Sequence, residues 1–420
     1  MRIVIATAVF YPMINGVAMF SWNLARGLRR RGHEVMVICP SQEGRRWSTV
    51  MEGVRVEYLH SVQAKVYPDQ IHEIPEKRKM LGMELPQVFY KHGLPVSVFP
   101  RAEVAELLDE FHPDVVHVQV SDPRGLSVVA AARKRGIPVV TTEHSQPEVF
   151  TEPLGVPKFI KKPVNALLAA YFVNRQSKSD FVTMPTELAI RNLLRGRKES
   201  IGVPIAAVSN GVDLEGFHPG VAGVEVRRRY GVPEGVPVVL YVGRVDPEKN
   251  VEGVVNAFEE FLLGNKLDRL SKTCLVVVGD GVDKARLEGL VREKGLERQV
   301  LFLGRVVGDE LGEIYRIGDV FATASPIETQ GIVLIEAAAS GLPLIAVNAG
   351  AVAEICVDGE NGVLCEVGDV KAMAEAMGTI LGDDVLRQKY AKKSVELAQE
   401  HDMEKTLERF ENIYRRVVGH

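Results

Sequence analysis

At 420 residues the chain is too long for one ordinary domain and fits two of about 200 residues each. Its composition, 46% hydrophobic and 25% charged, excludes a disordered chain, and a formal net charge of −4 argues against a dedicated nucleic-acid binder. No run reaches about 18 uninterrupted apolar residues, so no membrane-spanning helix is expected, and Cys39, Cys274, Cys356 and Cys365 lack C-x-x-C spacing, which suggests buried thiols of a reduced compartment and no structural metal.

The opening MRIVIATAVFYP has one Arg and then a β-branched run, without a long apolar segment or cleavage box. It reads as a first strand (2–8) rather than a signal peptide, and the expected location is cytoplasmic, at most peripheral on the inner membrane face. Gly16 follows in a loop, then a helix over 17–31 with Phe20, Leu24 and Leu28 on one face, then the strand HEVMVICP. Strand, helix, strand in about 40 residues is a parallel βαβ unit. Strands at 114–120 and 137–144 flank a helix at 125–135, while 60–100 reads as loops and short helices. The segment 181–187 opens from strand into helix, and 205–213 closes the half.

The second half repeats this grammar: strands at 236–244, 273–281, 300–306, 319–325, 342–349 and 362–364, and helices at 251–264, 283–294, 309–317 and 331–340. Helices at 370–382 and 384–418 end the chain. The expected fold class is α/β, with two Rossmann-like, doubly wound parallel-sheet domains facing across a cleft. Pro204, Gly211, Pro219 and Gly220 mark the connector. The expected division is 1–208, 209–395 and a C-terminal helix at 396–420 that packs back toward the first domain. Ligands in such sheets bind beyond the carboxyl ends of the strands.

Two segments carry the chemistry. In Ser325-Pro326-Ile327-Glu328-Thr329-Gln330-Gly331 a strand ends and a helix begins, so the backbone N–H groups of Gly331, Ile332 and Val333 form a seat for phosphate. Gly331 admits a close ligand. Glu328 and Glu336 flank the seat as hydrogen-bond acceptors for sugar or ribose hydroxyls; equally, both acids would complement a helix dipole. In Gly243-Arg244-Val245-Asp246-Pro247-Glu248-Lys249-Asn250, Arg244 and Lys249 leave a strand's carboxyl end where a diphosphate would sit. A solvated surface pair would look the same.

These segments, with SNGVD (209–213), VGDG (278–281), SGLPLIA, AGAVAEI (349–355) and DGENGVL (358–364), resemble the retaining GT-B glycosyltransferases of family 4 across the whole second half. The first half adds YPMINGVAMFSWNLARGLRRRGHEVMVICP, which looks like the family's opening strand, glycine loop and helix. The resemblance implies a hexosyltransferase that uses a nucleoside diphosphate sugar, with neither a catalytic metal nor a cofactor. It implies Arg244 and Lys249 on the donor diphosphate, Glu336 on the ribose, and Glu328 on the transferred sugar. Gly16, Gly243 and the 331–333 amides would lie close to the donor, and His144 close to the sugar and the acceptor. Retention would follow a front-face route in which the leaving phosphate helps take the acceptor's proton. Family members often have two glycines where this chain has Asn15-Gly16, which puts the close approach at the first of them in question.

Residues 155–200 hold nine basic and three acidic residues, among them Lys158, Lys161, Lys162 and Arg175, interleaved with Phe159, Ile160, Leu167, Leu168, Tyr171 and Phe172. This pattern suits a peripheral helix on an anionic leaflet, and equally an amphipathic helix packed on its own core. Glu-Thr-Gln-Gly-Ile at 328–332 resembles the form in glycosyltransferases acting on diacylglycerol, which points to a lipid acceptor and UDP-glucose or UDP-galactose as donor. A soluble sugar phosphate or inositol phosphate acceptor stays open, as does a sugar-nucleotide epimerase on the same scaffold. No G-x-G-x-x-G follows an early strand, which removes a Rossmann dehydrogenase, and no G-x4-G-K-[ST] exists for a P-loop NTPase.

Overall fold

The computed structural model describes all residues except 12–14, 65–78, 81–82, 85–93, 97–100, 120–122, 145–157, 195–200, 221–223, 265–268 and 420. The chain divides into two compact units: Met403–His420 joins the first, with most of the chain up to Gly211, and Val212–Asp402 makes the body of the second.

In the first unit, β1 (Arg2–Thr7), β2 (Glu34–Pro40), β3 (Trp47–Met51), β4 (Val54–Leu59), β5 (Val115–Gln119), β6 (Val139–Thr142), β7 (Phe181–Met184) and β8 (Ile205–Ala207) make one sheet in the order β8-β7-β6-β5-β1-β2-β4-β3. All neighbours run parallel except the edge strand β3 against β4. The central strands are β-branched runs buried on both faces, as parallel sheets covered by helices require. The helix Gly16–Arg30 starts on Asn15, whose side chain accepts from the Ala18 N–H at 2.9 Å. Asn15 itself is extended (φ −143°, ψ 173°), so no left-handed backbone is needed there, and Asn in place of a first glycine serves as a helix cap.

Residues 384–418 do not form one helix. They form Asp384–Ala398, a 3-10 turn Gln399–His401, and Met403–Val418. At the break Val212 N–H donates to the His401 carbonyl at 2.8 Å and Val212 bridges Asp402. The final helix belongs to the first unit: Leu407 lies so close to Gly27 that a Cβ there would come within 2.6 Å of it, and Arg31 and His33 pair with Glu411 at 3.0 and 2.7 Å. Within 60–100, the described parts are short strands rather than helices; Val62–Ala64 pairs with Leu94–Val96.

The second unit holds β9 (Val238–Val242), β10 (Cys274–Val278), β11 (Val300–Gly304), β12 (Val320–Ala322), β13 (Leu344–Val347) and β14 (Gly362–Cys365) in the order β11-β10-β9-β12-β13-β14, all parallel. The chain therefore reverses its direction of winding between β9 and β12. A crevice opens at such a switch point, beyond the strands' carboxyl ends. In the first unit the corresponding point lies between β1 and β5. All four cysteines are free and buried.

The loops after β9 and β10 pack backbone on backbone. Gly243 N–H donates to the Val278 carbonyl and Val245 N–H to that of Asp280, both at 2.9 Å. A Cβ on Gly279, which sits at φ +138°, would fall 1.8 Å from the Gly243 oxygen. Gly279→Ala is therefore expected to destabilise the protein by about 2–4 kcal/mol in urea unfolding, through backbone clash and an unfavourable φ. Gly289→Ala is the control, because that helical glycine has nothing nearer than 4.0 Å; it is expected to add up to about 1 kcal/mol.

Candidate active site

The switch point of the second unit sets the two chemical segments side by side. The loop leaving β9 carries Gly243 to Asn250 and the loop leaving β12 carries Ser325 to Gly331. Lys249 Nζ meets Glu328 Oε1 at 2.7 Å and the Ile327 carbonyl at 3.4 Å, with both charged side chains less than a fifth exposed. Asn250, left-handed at φ 49°, donates from Nδ2 to the Ala324 carbonyl at 3.3 Å and ties the loops a second time.

Arg244 does not stand free at the strand end. Its guanidinium pairs with Asp246 and with Glu248. Asp246 is buried, and its other oxygen accepts from Val282 N–H at 3.1 Å, which anchors the Arg244 pair to the loop after β10. Asp246 was legible only as part of the G-R-x4-K-N block; its place two residues from Arg244 in a tight loop was the available signal. The backbone of Glu328 is held from a third side. Ala351 N–H donates to its carbonyl at 3.0 Å, and a Cβ on Gly350 (φ 55°) would approach that oxygen to 2.6 Å. The AGAVAEI run thus seats Glu328.

Gly331 is the left-handed N-cap (φ 80°) of the helix Ile332–Ala339 rather than its first residue. Leu334 N–H already turns to the Gly331 carbonyl at 2.9 Å, so the amides of Ile332 and Val333 are the first-turn donors without an intrahelical acceptor. Glu336, half-buried one turn on, accepts from the Tyr315 hydroxyl at 2.7 Å. Burial pushes its carboxyl up to about 7, with the Tyr315 hydrogen bond acting the other way. Tyr315 is fully buried in the helix Asp309–Tyr315, and no sequence motif marks it as Glu336's partner.

In the first unit Gly16 opens the first helix, beyond the carboxyl end of β1, and His144 lies just beyond that of β6. His144 Nε2 is 2.8 Å from Gln119 Oε1, and burial pushes the imidazole down to about 3, so it is neutral at pH 7. Gln119 and its strand neighbour His117 were missed by the sequence reading, although two polar residues alternating on an otherwise apolar buried strand are an available signal.

The basic segment 155–200 divides. Lys162 is exposed on the helix Lys158–Gln176, and so are Ile160, Leu167 and Tyr171, which share a face turned away from Lys162. The side chains of Lys158 and Lys161 lie outside the described residues, as do Arg195, Arg197 and Lys198. Arg175 is not part of an exposed face: it is 5% exposed, with its guanidinium on the Tyr171 ring. No helix among the described residues is long and apolar enough to cross a membrane.

The family model for glycosyl transferases group 1 matches residues 224–396, and that for glycosyltransferase family 4 matches residues 14–215. A GDP-mannose-dependent alpha-mannosyltransferase of Mycobacterium tuberculosis is 30% identical over 93% of this chain and 90% of its own length. The alpha-monoglucosyldiacylglycerol synthase of Acholeplasma laidlawii is 28% identical over 86% of this chain and 84% of its own. Among solved structures, a sucrose-phosphate synthase of Thermosynechococcus elongatus shares the fold at a TM-score of 0.72 and 19% identity, covering 100% of this chain and 99% of its own. With two Rossmann-like parallel sheets, and Lys249 and Glu328 drawn together at the switch point of the second, the chain belongs to glycosyltransferase family 4 and is a GT-B glycosyltransferase that uses a nucleotide sugar.

Proposed function

We propose that the protein transfers a hexose, with retention, from a nucleoside diphosphate sugar to a hydroxyl group of a membrane lipid. The observation that carries the donor half is the Lys249–Glu328 contact at 2.7 Å. Without ligand the two charges satisfy each other; with donor bound, Lys249 turns to the diphosphate and Glu328 accepts from hydroxyls of the sugar. Arg244 adds a second positive charge, with Asp246 and Glu248 fixing its position. The amides of Ile332 and Val333 donate to phosphate or sugar oxygens, and Glu336 accepts from the ribose. Gly243 and Gly16 keep the backbone bare where the donor approaches. Positive charge preorganised around the leaving diphosphate lowers the barrier to breaking the glycosidic bond. His144, neutral, serves as a hydrogen-bonding group toward sugar and acceptor rather than as a cation.

The lipid acceptor rests on Ile160, Leu167 and Tyr171. They recur at spacings of seven and four residues, which is one helical face, and Leu167 is 73% exposed. An exposed apolar stripe of this kind suits insertion into a lipid leaflet. The similarity to an alpha-monoglucosyldiacylglycerol synthase favours a diacylglycerol acceptor and glucose as the sugar, in keeping with the UDP-glucose or UDP-galactose expected from the sequence. The similarity to a GDP-mannose-dependent enzyme makes GDP-mannose the donor to test beside them.

The deciding experiment measures nucleoside diphosphate release from UDP-glucose, UDP-galactose and GDP-mannose, with and without vesicles containing diacylglycerol or a phospholipid. Release that needs the lipid is expected. Epimerised sugar nucleotide appearing without any acceptor would make the protein an isomerase, and release that requires a soluble sugar phosphate or inositol phosphate would remove the lipid. Lys249→Ala and Glu328→Ala are each expected to lower kcat by about 10²–10³; full turnover in both would displace the assigned site. Leu167→Ser with Tyr171→Ser should weaken vesicle binding and raise KM for the lipid while leaving donor affinity alone.

Glu336 gives the site a pH dependence. The carboxylate is a stronger acceptor than the acid, and its pKa is about 7 in the free protein. Donor affinity should therefore be full above that value and fall by up to about tenfold per pH unit below it. Titration calorimetry with a sugar nucleotide over roughly pH 6 to 8 reads this directly. Glu336→Gln should flatten the profile. Tyr315→Phe should move its midpoint upward, because the lost hydrogen bond favoured the ionised form; a midpoint that stays put would assign the titration to another group.

A further inference from the structure

From His144, itself half-buried, a chain of buried polar groups runs to the C-terminal helix inside the first unit. His144 Nε2 lies 2.8 Å from Gln119 Oε1, and Gln119 Nε2 lies 3.1 Å from His117 Nε2. On its far side His117 Nδ1 meets the Tyr414 hydroxyl at 2.6 Å. Thr142 Oγ1 also reaches His117 Nε2 at 2.6 Å and passes to Thr183 Oγ1 at the same distance. His117, Gln119 and Tyr414 are each about 1% exposed or less. Burial holds both imidazoles far below their ordinary range, so each ring carries one proton and has a defined tautomer at pH 7.

The two ends of a carboxamide are unlike, and this constrains the rings. With the amide nitrogen of Gln119 donating to His117 Nε2, that nitrogen holds a lone pair and the His117 proton is on Nδ1, donating to Tyr414. The amide oxygen then accepts from His144, whose proton is on Nε2. If the amide turns over, every donor reverses: Tyr414 donates to His117 Nδ1, His117 Nε2–H donates to Gln119, and Gln119 donates to His144 Nε2, leaving the proton on His144 Nδ1. The hydroxyls of Thr142 and Thr183 rotate to suit either arrangement. Mixed arrangements set donor against donor or lone pair against lone pair in a buried place, which is costly.

We infer that Gln119 holds the tautomers of His117 and His144 in opposition, so that the place of the proton on His144 is coupled to whether the hydroxyl of Tyr414, on the C-terminal helix, accepts from His117 or donates to it. Gln119, His117 and Tyr414 are positioning residues: they act through His144. In the arrangement present, His144 turns Nε2–H to Gln119 and keeps its Nδ1 lone pair, which among the described residues meets no protein partner, for a donor on sugar or acceptor.

The test is NMR of the full-length protein labelled with 15N in its histidine rings, where two-bond couplings identify each tautomer. The wild type is expected to show His117 protonated on Nδ1 and His144 on Nε2. In Tyr414→Phe the His117 Nδ1–H would be buried without an acceptor, so both rings should invert together and His144 should appear protonated on Nδ1. His144 keeping one tautomer in both folded proteins overturns the inference. Gln119→Glu gives a second reading that does not depend on Tyr414: an ionised carboxylate only accepts, so both histidines should carry Nε2–H, and continued opposition at a pH where the introduced carboxyl is ionised would equally overturn it. The inference deepens the assignment of His144 to the transfer site and rests on it only for turnover. With His144 in the reaction, Tyr414→Phe lowers kcat while donor KM holds; inverted tautomers with unchanged kcat would remove His144 from the chemistry and leave the coupling standing.

Discussion

The ion pair between Lys249 and Glu328 is the constraint on which the second unit's site depends. The two residues leave the carboxyl ends of neighbouring parallel strands, β9 and β12, and only the reversal of winding between those strands brings their loops together. With side chains 18% and 14% exposed, neither charge is well solvated. Removing one partner would leave the other in poor surroundings, a cost that approaches but does not reach the ~3–5 kcal/mol of a fully buried pair. A ligand that replaces the contact must therefore supply an anion to Lys249 and hydroxyl donors to Glu328 at the same time. A sugar joined to a diphosphate does both; a free phosphate or a free sugar does only one.

The supports of this pair are backbone contacts, and they explain glycines whose role sequence alone leaves open. Gly279 lets the loop after β10 press on Gly243, and Gly350 lets the loop after β13 press on Glu328. The strands themselves were legible because buried parallel strands are β-branched runs of a few residues between turn signals. The helix Val251–Gly264 was legible to the residue, and the helix Val370–Gly382 likewise. What escaped was decided by contacts distant in sequence. Nothing in the residues near Gln399 announces a break, because helical period continues through them; the break serves the pairing of Val212 with His401 and Asp402. Arg175 read as a surface cation because periodicity reports spacing and not which side is covered, and in the structure the ring of Tyr171 and the core cover it. Asn15 read as an imperfect glycine, whereas its oxygen caps the helix.

The acids of the site are treated in three different ways, and the differences are chemical. Asp246 is buried and committed to Arg244 and to Val282 N–H, so it shapes the loop. Glu328 is paired with a movable lysine and is available once a ligand draws that lysine away. Among the described residues Glu336 has no cationic partner: it accepts from the Tyr315 hydroxyl, and burial lifts its pKa to about 7. A carboxyl held so near neutrality is one that hydroxyl groups of a ligand would ionise by donating to it, so in the proposed complex ribose binding and proton release would be coupled at this residue.

The two units accordingly bring different kinds of groups to the proposed reaction. The second brings charged groups, with Arg244 and Lys249 held by acids that fix their positions. The first brings neutral polar groups: His117 and His144 are both far below their usual pKa, and Gln119, Thr142 and Thr183 carry no charge. A neutral imidazole cannot balance a departing diphosphate, so that task falls to Arg244 and Lys249. What a neutral imidazole offers is direction, one nitrogen donating and one accepting, and this is useful to a sugar hydroxyl only if the two are not interchanged. A histidine with an exposed ring would exchange them freely. A histidine tied through Gln119 to a second, buried ring would not, and the expense of burying these polar side chains on β5, β6, β7 and the C-terminal helix is intelligible as the cost of that direction.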